Sequence, residues 1–387
     1  MTLVWIGIAV AVAAVLLVVA MKRGGAPKSA PVSAAPMQRS ATPAFAPSAT
    51  ANPAASGASV AGTAAAMAIE PPPELRGWAP RRVADLGVEE RRALLATYGD
   101  VPRPPRLLDH LLSPEYVNAA SSHELIQLIT GEPLIAAKVL ATVNSPRYGL
   151  ASPVASIGQA VTYLGANTVR SLCLQYLLRA AFAADTPERQ RLVGQAWAAS
   201  AIASELVQQL AAKLGIDNKG GLVSAAVLSF LGRLATTATL PADRLAAVCG
   251  HASLFVRANA EQASLGVPAS EVGRLLMQAW GLPEAVIDEA AAVDDELILP
   301  AADVALPPHD RALRAAVSFL AARVAERLAD GTLDSPAGFD LLNADDPDLH
   351  GLRARLPAAS VERLGAALHA HGVDAAVQKV RDALRGG

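Results

Sequence analysis

Residues 132–165, EPLIAAKVLATVNSPRYGLASPVASIGQAVTYLG, predict two helices joined by a broken loop. Pro133 suits the first turn of a helix, where its missing N–H is not needed, and apolar residues follow at helical spacing. The run Asn144-Ser145-Pro146 ends this helix, because proline disfavours the α conformation in the residue before it. Ser156 and the glutamine three residues later predict a capping box that starts the second helix, and Gly165 is placed to end it. On these residues alone, the stretch is a helical hairpin within a core.

The composition and the helical periodicity predict an all-α fold. The chain has 387 residues, 52% of them apolar and 4% aromatic, which favours one large or two modest domains of closely packed helices. No alternating strand pattern interrupts the helical periodicity. The net charge of −2 gives no case for nucleic-acid binding. Cys173 and Cys249 predict buried thiols in a reducing compartment.

The first 75 residues predict an anchor and a linker. Residues 3–21 carry no charged side chain and as a helix would span roughly 28 Å, close to the thickness of the hydrocarbon core of a bilayer. Lys22 and Arg23 follow, so the positive-inside rule places the amino terminus outside the inner membrane and the rest of the chain in the cytoplasm. A removed signal peptide with a periplasmic product is the alternative, but no positive residue precedes the apolar run. We therefore expect an anchor at 1–23, and the Ala, Pro and Ser content of 24–75 predicts a disordered linker.

The hairpin stretch also resembles a known family, the HDOD domain, a bacterial signalling module related to the HD phosphohydrolases. The residues that carry the resemblance by their order and spacing are Pro133-Leu134, Leu140, Asn144-Ser145, Tyr148-Gly149, Val154, Ser156-Ile157, Ala160 and Leu164-Gly165. Further along, Glu261 and the run Trp280-Gly281-Leu282-Pro283 also follow the HDOD pattern. The resemblance implies an HDOD domain over 76–300. Helices over 301–387 are expected to complete the same globule, with a separate small helical domain as the alternative.

The resemblance also implies where the metal-binding positions of an HD enzyme would lie, and this chain lacks the expected ligands there. The positions are Ala199, Ser229, Phe230, Ala269 and Asp294. Relatives carry histidine or a His-Asp pair at the first four, whereas this chain has uncharged residues there, which lack those metal ligands and offer no fixed charge to a phosphate. Asp294 is a polar remnant. The dipeptide His309-Asp310 lies at a predicted helix start, where adjacent side chains diverge by about 100°. We therefore expect no metal, no cofactor and no enzymatic activity.

What remains is a set of candidate interaction residues: Asn144, Ser145, Arg147, Tyr148 and Trp280. Asn144 and Ser145 would either fix a loop through their short polar side chains or form a recognition surface with Arg147 and Tyr148. Trp280 would end a helix at a structural joint, or anchor an interface if exposed. The resemblance implies partners from cyclic-di-GMP, two-component or chemotaxis pathways. The alternatives are a residual phosphohydrolase and a metal-free module that binds a nucleotide or cyclic dinucleotide.

Overall fold

The described part of the chain consists of α-helices and short 3-10 helices, and it contains no β-strand. The computed structural model describes residues 73, 76–99, 101, 107–112, 122–145, 148, 150, 152–179, 181–182, 184–249, 253–298, 309–343 and 345–385. The helices of the first half are α1 (Val88–Tyr98), α2 (Leu107–Leu112), α3 (Ser122–Thr130), α4 (Pro133–Val143), α5 (Ile157–Leu164), α6 (Ala166–Arg179), α7 (Pro187–Leu214) and α8 (Lys219–Leu228). Those of the second half are α9 (Leu231–Thr239), α10 (Ala242–Cys249), α11 (Leu254–Leu265), α12 (Ala269–Ala279), α13 (Glu284–Ile298), α14 (His309–Asp330), α15 (His350–Arg355), α16 (Ala358–Leu368) and α17 (Val373–Arg385). The predicted all-α class is confirmed for these residues.

The stretch 132–165 forms the predicted pair of helices, α4 and α5. Pro133 occupies the first turn of α4, and Asn144 is its C-cap. The Ser156 hydroxyl accepts from the backbone N–H of Gln159 at 3.2 Å, as an N-cap should. The Gln159 side chain reaches back 2.9 Å to the N–H one residue before the serine, so only half of the predicted capping box forms. Gly165 ends α5 with a φ of 81°.

Helix α7 is the axis of the described unit. Its 28 residues make it about 42 Å long. Thr186 caps its start, and Gly215, in the left-handed conformation, ends it, as glycine commonly does. Helices α8, α14, α16 and α17 all pack against α7, so the carboxy-terminal helices share one core with it. A second core lies under α2 to α6 and extends to α9, α12 and α13.

Three details that the local sequence pattern predicts differ from the structure: one continuous helix over 222–237, an N-cap at Ser360 and an N-cap at Asp374. The helix expected over 222–237 is two helices, α8 and α9, because the backbone breaks at Ser229 and Phe230. The N-cap expected at Ser360 is Pro357, which precedes the first residue of α16. Asp374 lies in the first turn of α17 rather than at its cap.

The predicted membrane anchor at 3–21 and the predicted linker at 24–75 lie outside the residues that the structure describes, apart from residue 73. Among the described residues, the segment Lys219–Thr239 is long and apolar enough to cross a bilayer. Helices α3 and α4 pass the same test only as a pair, and they meet at a bend of 115°. The first of these segments is α8 and α9, and 78% of its most apolar window is buried against the other helices.

Candidate functional site

Four of the five predicted HD-site positions meet around one cavity. Ser229, Phe230, Ala269 and Asp294 line it, and its volume is about 20 Å³. That is space for about one water molecule. Ala199 lies apart from the cavity, 1% exposed in the core along α7.

A close approach of two helices positions this cavity. Ser229 and Phe230 form the break between α8 and α9, and Ala269 is the first residue of α12. At Gly232, a Cβ atom would lie 1.7 Å from the Ala269 carbonyl oxygen and 2.8 Å from the backbone nitrogen of Gly273. Only a glycine lets α9 and α12 touch backbone to backbone here.

The same cavity is lined by six charged side chains, of which Arg257, Glu261 and Arg323 are buried and Arg233, Asp294 and Glu326 are half-buried. They come from four helices and comprise Arg233 on α9, Arg257 and Glu261 on α11, Asp294 on α13, and Arg323 and Glu326 on α14. With all six ionised, three positive and three negative charges balance. We call this set the arginine–carboxylate network.

Glu326 is the hub of the network. Arg233 Nη1 lies 2.6 Å from Glu326 Oε1, and Arg257 Nη2 lies 2.9 Å from the same oxygen. Arg323 Nη1 lies 2.9 Å from Oε2. Burial alone would raise the pKa of Glu326, but the guanidinium groups of Arg257, Arg323 and Arg233 outweigh it and hold the pKa at about 2. The carboxylate is therefore ionised at neutral pH.

The other two carboxylates also face arginines. Arg323 Nη2 donates to Asp294 Oδ1 at 3.1 Å, and Arg257 Nε lies 3.7 Å from Glu261 Oε1. Glu261 Oε2 also accepts the backbone N–H of Ala269 at 2.8 Å, which ties the network to the start of α12. Burial raises the pKa of both Asp294 and Glu261, and the facing arginines oppose that rise.

This arrangement does not fit a metal ion. No group of three or more His, Cys, Asp or Glu side chains suited to a metal occurs in the described residues. The carboxylates at the cavity are already compensated by guanidinium groups within 2.6–3.7 Å. A divalent cation would have to approach three fixed positive charges to reach them. The chemistry of the cavity is thus that of a closed ion-pair cluster.

Ser229, Phe230 and Ala269 are uncharged, as expected, but the arginines beside them are not. In the sequence, Arg257 with Glu261 and Arg323 with Glu326 have the i,i+4 and i,i+3 spacing of ordinary surface pairs. The sequence signal for the burial of Arg323 is the run of mainly apolar residues on all sides of α14. Residues 315–325 are buried, so a charge there cannot reach water.

The motif residues of the hairpin stretch have separate surroundings. The Asn144 side chain donates to the Val154 carbonyl at 2.8 Å and accepts from the Val154 N–H at 2.6 Å, which is the geometry of a loop lock. Ser145 and Tyr148 both line a groove between α4, α6 and α7, which we call the α4–α6–α7 groove. Arg147 lies outside the described residues.

Trp280 does not fit the interpretation of an exposed interface anchor. Its exposed fraction is 2%, since it is the C-cap of α12 and packs into the core beneath the following loop. Gly281 follows with a φ of 71°, and Pro283 precedes α13. The structure here is the helix end, left-handed glycine and restart of a structural joint.

Four of the five positions that the HDOD resemblance marks therefore lie around one cavity of a helical bundle. A family model of the HDOD domain matches residues 101–296, just over half of the chain. The chain belongs to the HDOD domain family.

Solved structures similar to this chain include three from different organisms. An HDOD domain protein with unknown function from Geobacter sulfurreducens has 20% identity and a TM-score of 0.53, and the match covers 76% of this chain and 97% of that one. A "Putative phosphohydrolase" from Shewanella amazonensis SB2B has 20% identity and a TM-score of 0.48, with 74% of this chain and 98% of that one covered. The MmoQ response regulator from Methylococcus capsulatus str. Bath has 21% identity and a TM-score of 0.31, with 68% of this chain and 97% of that one covered. The first supports the fold, and at these identities the likeness extends no further. A comparison with the curated proteins finds no match.

Proposed function

We propose that this HDOD protein is a non-enzymatic regulatory module that binds other signalling proteins at the cytoplasmic face of the inner membrane. The observation that carries the proposal is the arginine–carboxylate network at the HD-site positions. A hydrolytic HD site needs a metal with an open coordination position and room for a phosphoester beside it. Here the carboxylates face arginines, and the space of about 20 Å³ admits a water molecule and no substrate.

Membrane attachment is the second part of the proposal. It rests on residues 3–21, which lack charge, and on Lys22-Arg23 after them. The expected topology has the amino terminus outside and the helical unit in the cytoplasm. A single anchor followed by a long linker would let the HDOD domain search a wide radius near the membrane surface.

The surface of the hairpin supports a role in binding proteins. Leu134 on α4 is 80% exposed and Tyr163 on α5 is 63% exposed, although each lies on an otherwise core-forming helix. Large exposed apolar side chains are the type that anchor protein interfaces. The partner class, a protein of a cyclic-di-GMP, two-component or chemotaxis pathway, follows from the family resemblance.

Crosslinking in native membranes followed by mass spectrometry tests this proposal. The full chain is the bait, with Leu134→Asp as the surface variant and Leu342→Asp as its matched control. Leu342 is 64% exposed and lies outside the family match. We expect the native chain and Leu342→Asp to capture one cyclase, phosphodiesterase, kinase or receptor, and Leu134→Asp to lose it.

Two further results would count against the proposal. If none of these baits captures a specific signalling protein, the interaction role fails. If a chain that begins at residue 24 captures the same partner and remains with the membrane fraction, the anchor at 3–21 is not what holds the protein there.

A residual phosphohydrolase is the alternative from another class. Metal analysis of the purified full chain, combined with hydrolysis assays on nucleotides and cyclic dinucleotides in Mn²⁺, Mg²⁺ and Zn²⁺, distinguishes the two. Stoichiometric metal together with phosphoester cleavage would overturn the non-enzymatic proposal. Binding of a nucleotide in the HD-site cavity itself conflicts with its volume, since small-molecule sites are about 300 Å³ or larger.

A further inference from the structure

The α4–α6–α7 groove is much larger than the HD-site cavity. Its volume is about 700 Å³, within the range of about 300–1,000 Å³ that holds small molecules in proteins. The carboxy-terminal helix α17 lines one edge of it through Val380, Asp382 and Leu384. No residue of the arginine–carboxylate network lines it, so it is a separate site.

The floor of the groove carries buried, uncharged hydrogen-bonding groups. Ser171, Gln175 and Ser204 line it and are 6%, 9% and 5% exposed. Ser171 Oγ donates to Ser204 Oγ at 2.9 Å, and Gln175 Nε2 donates to Ser171 Oγ at 3.0 Å. A surface whose only role was helix packing would be lined by apolar side chains rather than by these hydrogen-bonding groups.

Two polar atoms at the groove have no partner among the described residues. The Ser145 hydroxyl is buried and makes no hydrogen bond. The Gln175 amide donates through its nitrogen, whereas no donor reaches its oxygen. A buried polar atom without a partner, as at Ser145, is uncommon in folded proteins and requires an explanation. A ligand that bonds to the Ser145 hydroxyl and to the Gln175 oxygen supplies one.

One wall of the groove presents a fixed aromatic ring beside a positive charge. The Tyr176 hydroxyl is hydrogen-bonded to Thr142 Oγ1, which holds the ring in place. The Lys138 ammonium group lies over the face of this ring, 5.3 Å from its centroid, as a cation–π contact. A planar anionic ligand would pair with the lysine and take its place on the ring.

Two basic side chains at the groove are available to an anionic group. Lys138 and Arg179 line the groove, and neither forms an ion pair in the described part of the chain. Glu205 and Asp382 also line it, and each keeps its negative charge while accepting an amide hydrogen bond. Glu205 accepts from Gln209 Nε2 at 2.9 Å, and Asp382 accepts from Gln378 Nε2 at 2.6 Å.

We propose that the α4–α6–α7 groove binds a small molecule that combines a planar hydrogen-bonding ring with an anionic group, which is the chemistry of a nucleotide. The ring stacks on Tyr176, and its polar edge bonds to Gln175 and to the Ser145 hydroxyl. The anionic group pairs with Lys138 and Arg179. This goes beyond the regulatory proposal above and does not depend on the identity of the protein partner.

Isothermal titration of the full chain in detergent micelles tests the groove. The probes are AMP, GMP, CMP and cyclic di-GMP, with adenosine and guanosine as rings without an anion and inorganic phosphate as an anion without a ring. We expect at least one nucleotide to saturate the protein and the nucleosides and phosphate to bind at least tenfold more weakly. Failure of every nucleotide to bind at millimolar concentration, or equal binding of phosphate or of a nucleoside, would overturn the proposal.

Paired variants locate the binding. Lys138→Glu reverses an exposed charge and should weaken nucleotide binding about tenfold or more, since a charge-assisted hydrogen bond is lost. Ala141→Trp, on the exposed rim of the groove, should abolish binding by filling it. The matched controls are Arg363→Glu and Ala359→Trp, both exposed on α16, and they should bind as the native chain does. Binding that survives Ala141→Trp would place the nucleotide elsewhere and refute the groove.

Discussion

Replacement of Glu326 by glutamine should destabilise the protein more than any exposed charge change. The substitution keeps the size of the side chain and removes the negative charge to which Arg233, Arg257 and Arg323 are drawn, at 2.6–2.9 Å. Three guanidinium groups, those of Arg257 and Arg323 buried and that of Arg233 half-buried, would then face only Asp294 and Glu261. Removing one partner of a buried ion pair costs about 3–5 kcal/mol, because the charge left behind is uncompensated.

The lowered pKa of Glu326 indicates a stabilisation of the folded state of similar size. Its folded-state pKa is about 2, against an ordinary value of 4.5. At about 1.4 kcal/mol for each pH unit, that difference corresponds to roughly 3 kcal/mol. Because the folded pKa is lowered, this stabilisation is present above pH 4.5 and is lost as the pH falls toward 2. The native chain should therefore lose stability over that range, and Glu326→Gln should lose less.

Thermal unfolding of the full chain, followed by far-ultraviolet circular dichroism, measures the effect. A loss of 3–5 kcal/mol should lower the Tm by about 6 °C or more for a chain of this size. The control is Glu89→Gln, which removes an exposed partner of Arg92 at 2.9 Å and should change stability by about 0.5 kcal/mol at most. The double variant Glu326→Gln/Arg233→Met restores charge balance and should be more stable than additivity predicts.

Two results would contradict the role given to Glu326. If Glu326→Gln unfolds within 1 °C of Glu89→Gln at neutral pH, then Glu326 does not hold the network together. If the double variant is no more stable than the sum of its single changes, then the charges of Glu326 and Arg233 are not coupled.

Further predictions follow from contacts elsewhere in the fold. Gly232→Ala should cost about 3 kcal/mol or more, because its Cβ would clash with a backbone carbonyl oxygen 1.7 Å away. Gly194→Ala, with nothing within 4 Å of its Cβ, should be neutral or stabilising by up to about 1 kcal/mol, and urea unfolding of both variants measures the difference. Asn144→Asp removes the donor of the hydrogen bond to the Val154 carbonyl and should lower the free energy of unfolding by about 1–2 kcal/mol. Amide exchange in the loop between α4 and α5 should become faster, and unchanged exchange would contradict the loop lock. The Cys173 thiol, whose pKa burial raises to about 12, should resist alkylation in the native protein while the partly exposed Cys249 reacts; mass spectrometry of the labelled peptides would disprove this if Cys173 reacted first.

The helices could be predicted because their signals are local. Pro133, Ser156, Gly165 and Gly215 each act within one or two turns of their own helix, and the structure confirms a helix start or end beside each of them. The break at Ser229 was missed because neither glycine nor proline marks it. That break depends on the packing of α9 against α12, which brings together residues about forty positions apart and leaves no local signal.

The location of the candidate site could be predicted from the sequence, but the charges that line it could not. The family resemblance located Ser229, Ala269 and Asp294, which meet at one cavity. The arginines that line it come from helices that the resemblance did not mark, and α14 lies beyond its firm part. Helical spacing suggests that Arg323 and Glu326 are a solvated pair. Only tertiary packing, which surrounds α14 on all sides, turns that pair into part of a buried network.

The network has a consequence for how this fold is stabilised. Glu261, Asp294 and Glu326 would be costly to bury as unpaired anions, so a bundle that holds them together requires positive charge at its centre. An enzyme of the HD type can take that charge from its metal. In this chain the guanidinium groups of Arg233, Arg257 and Arg323 supply it, and they are covalently part of the polypeptide. The folded state is thereby compensated without a cation from solution, and the bundle is left as a fixed support for the exposed surfaces of α4 and α5.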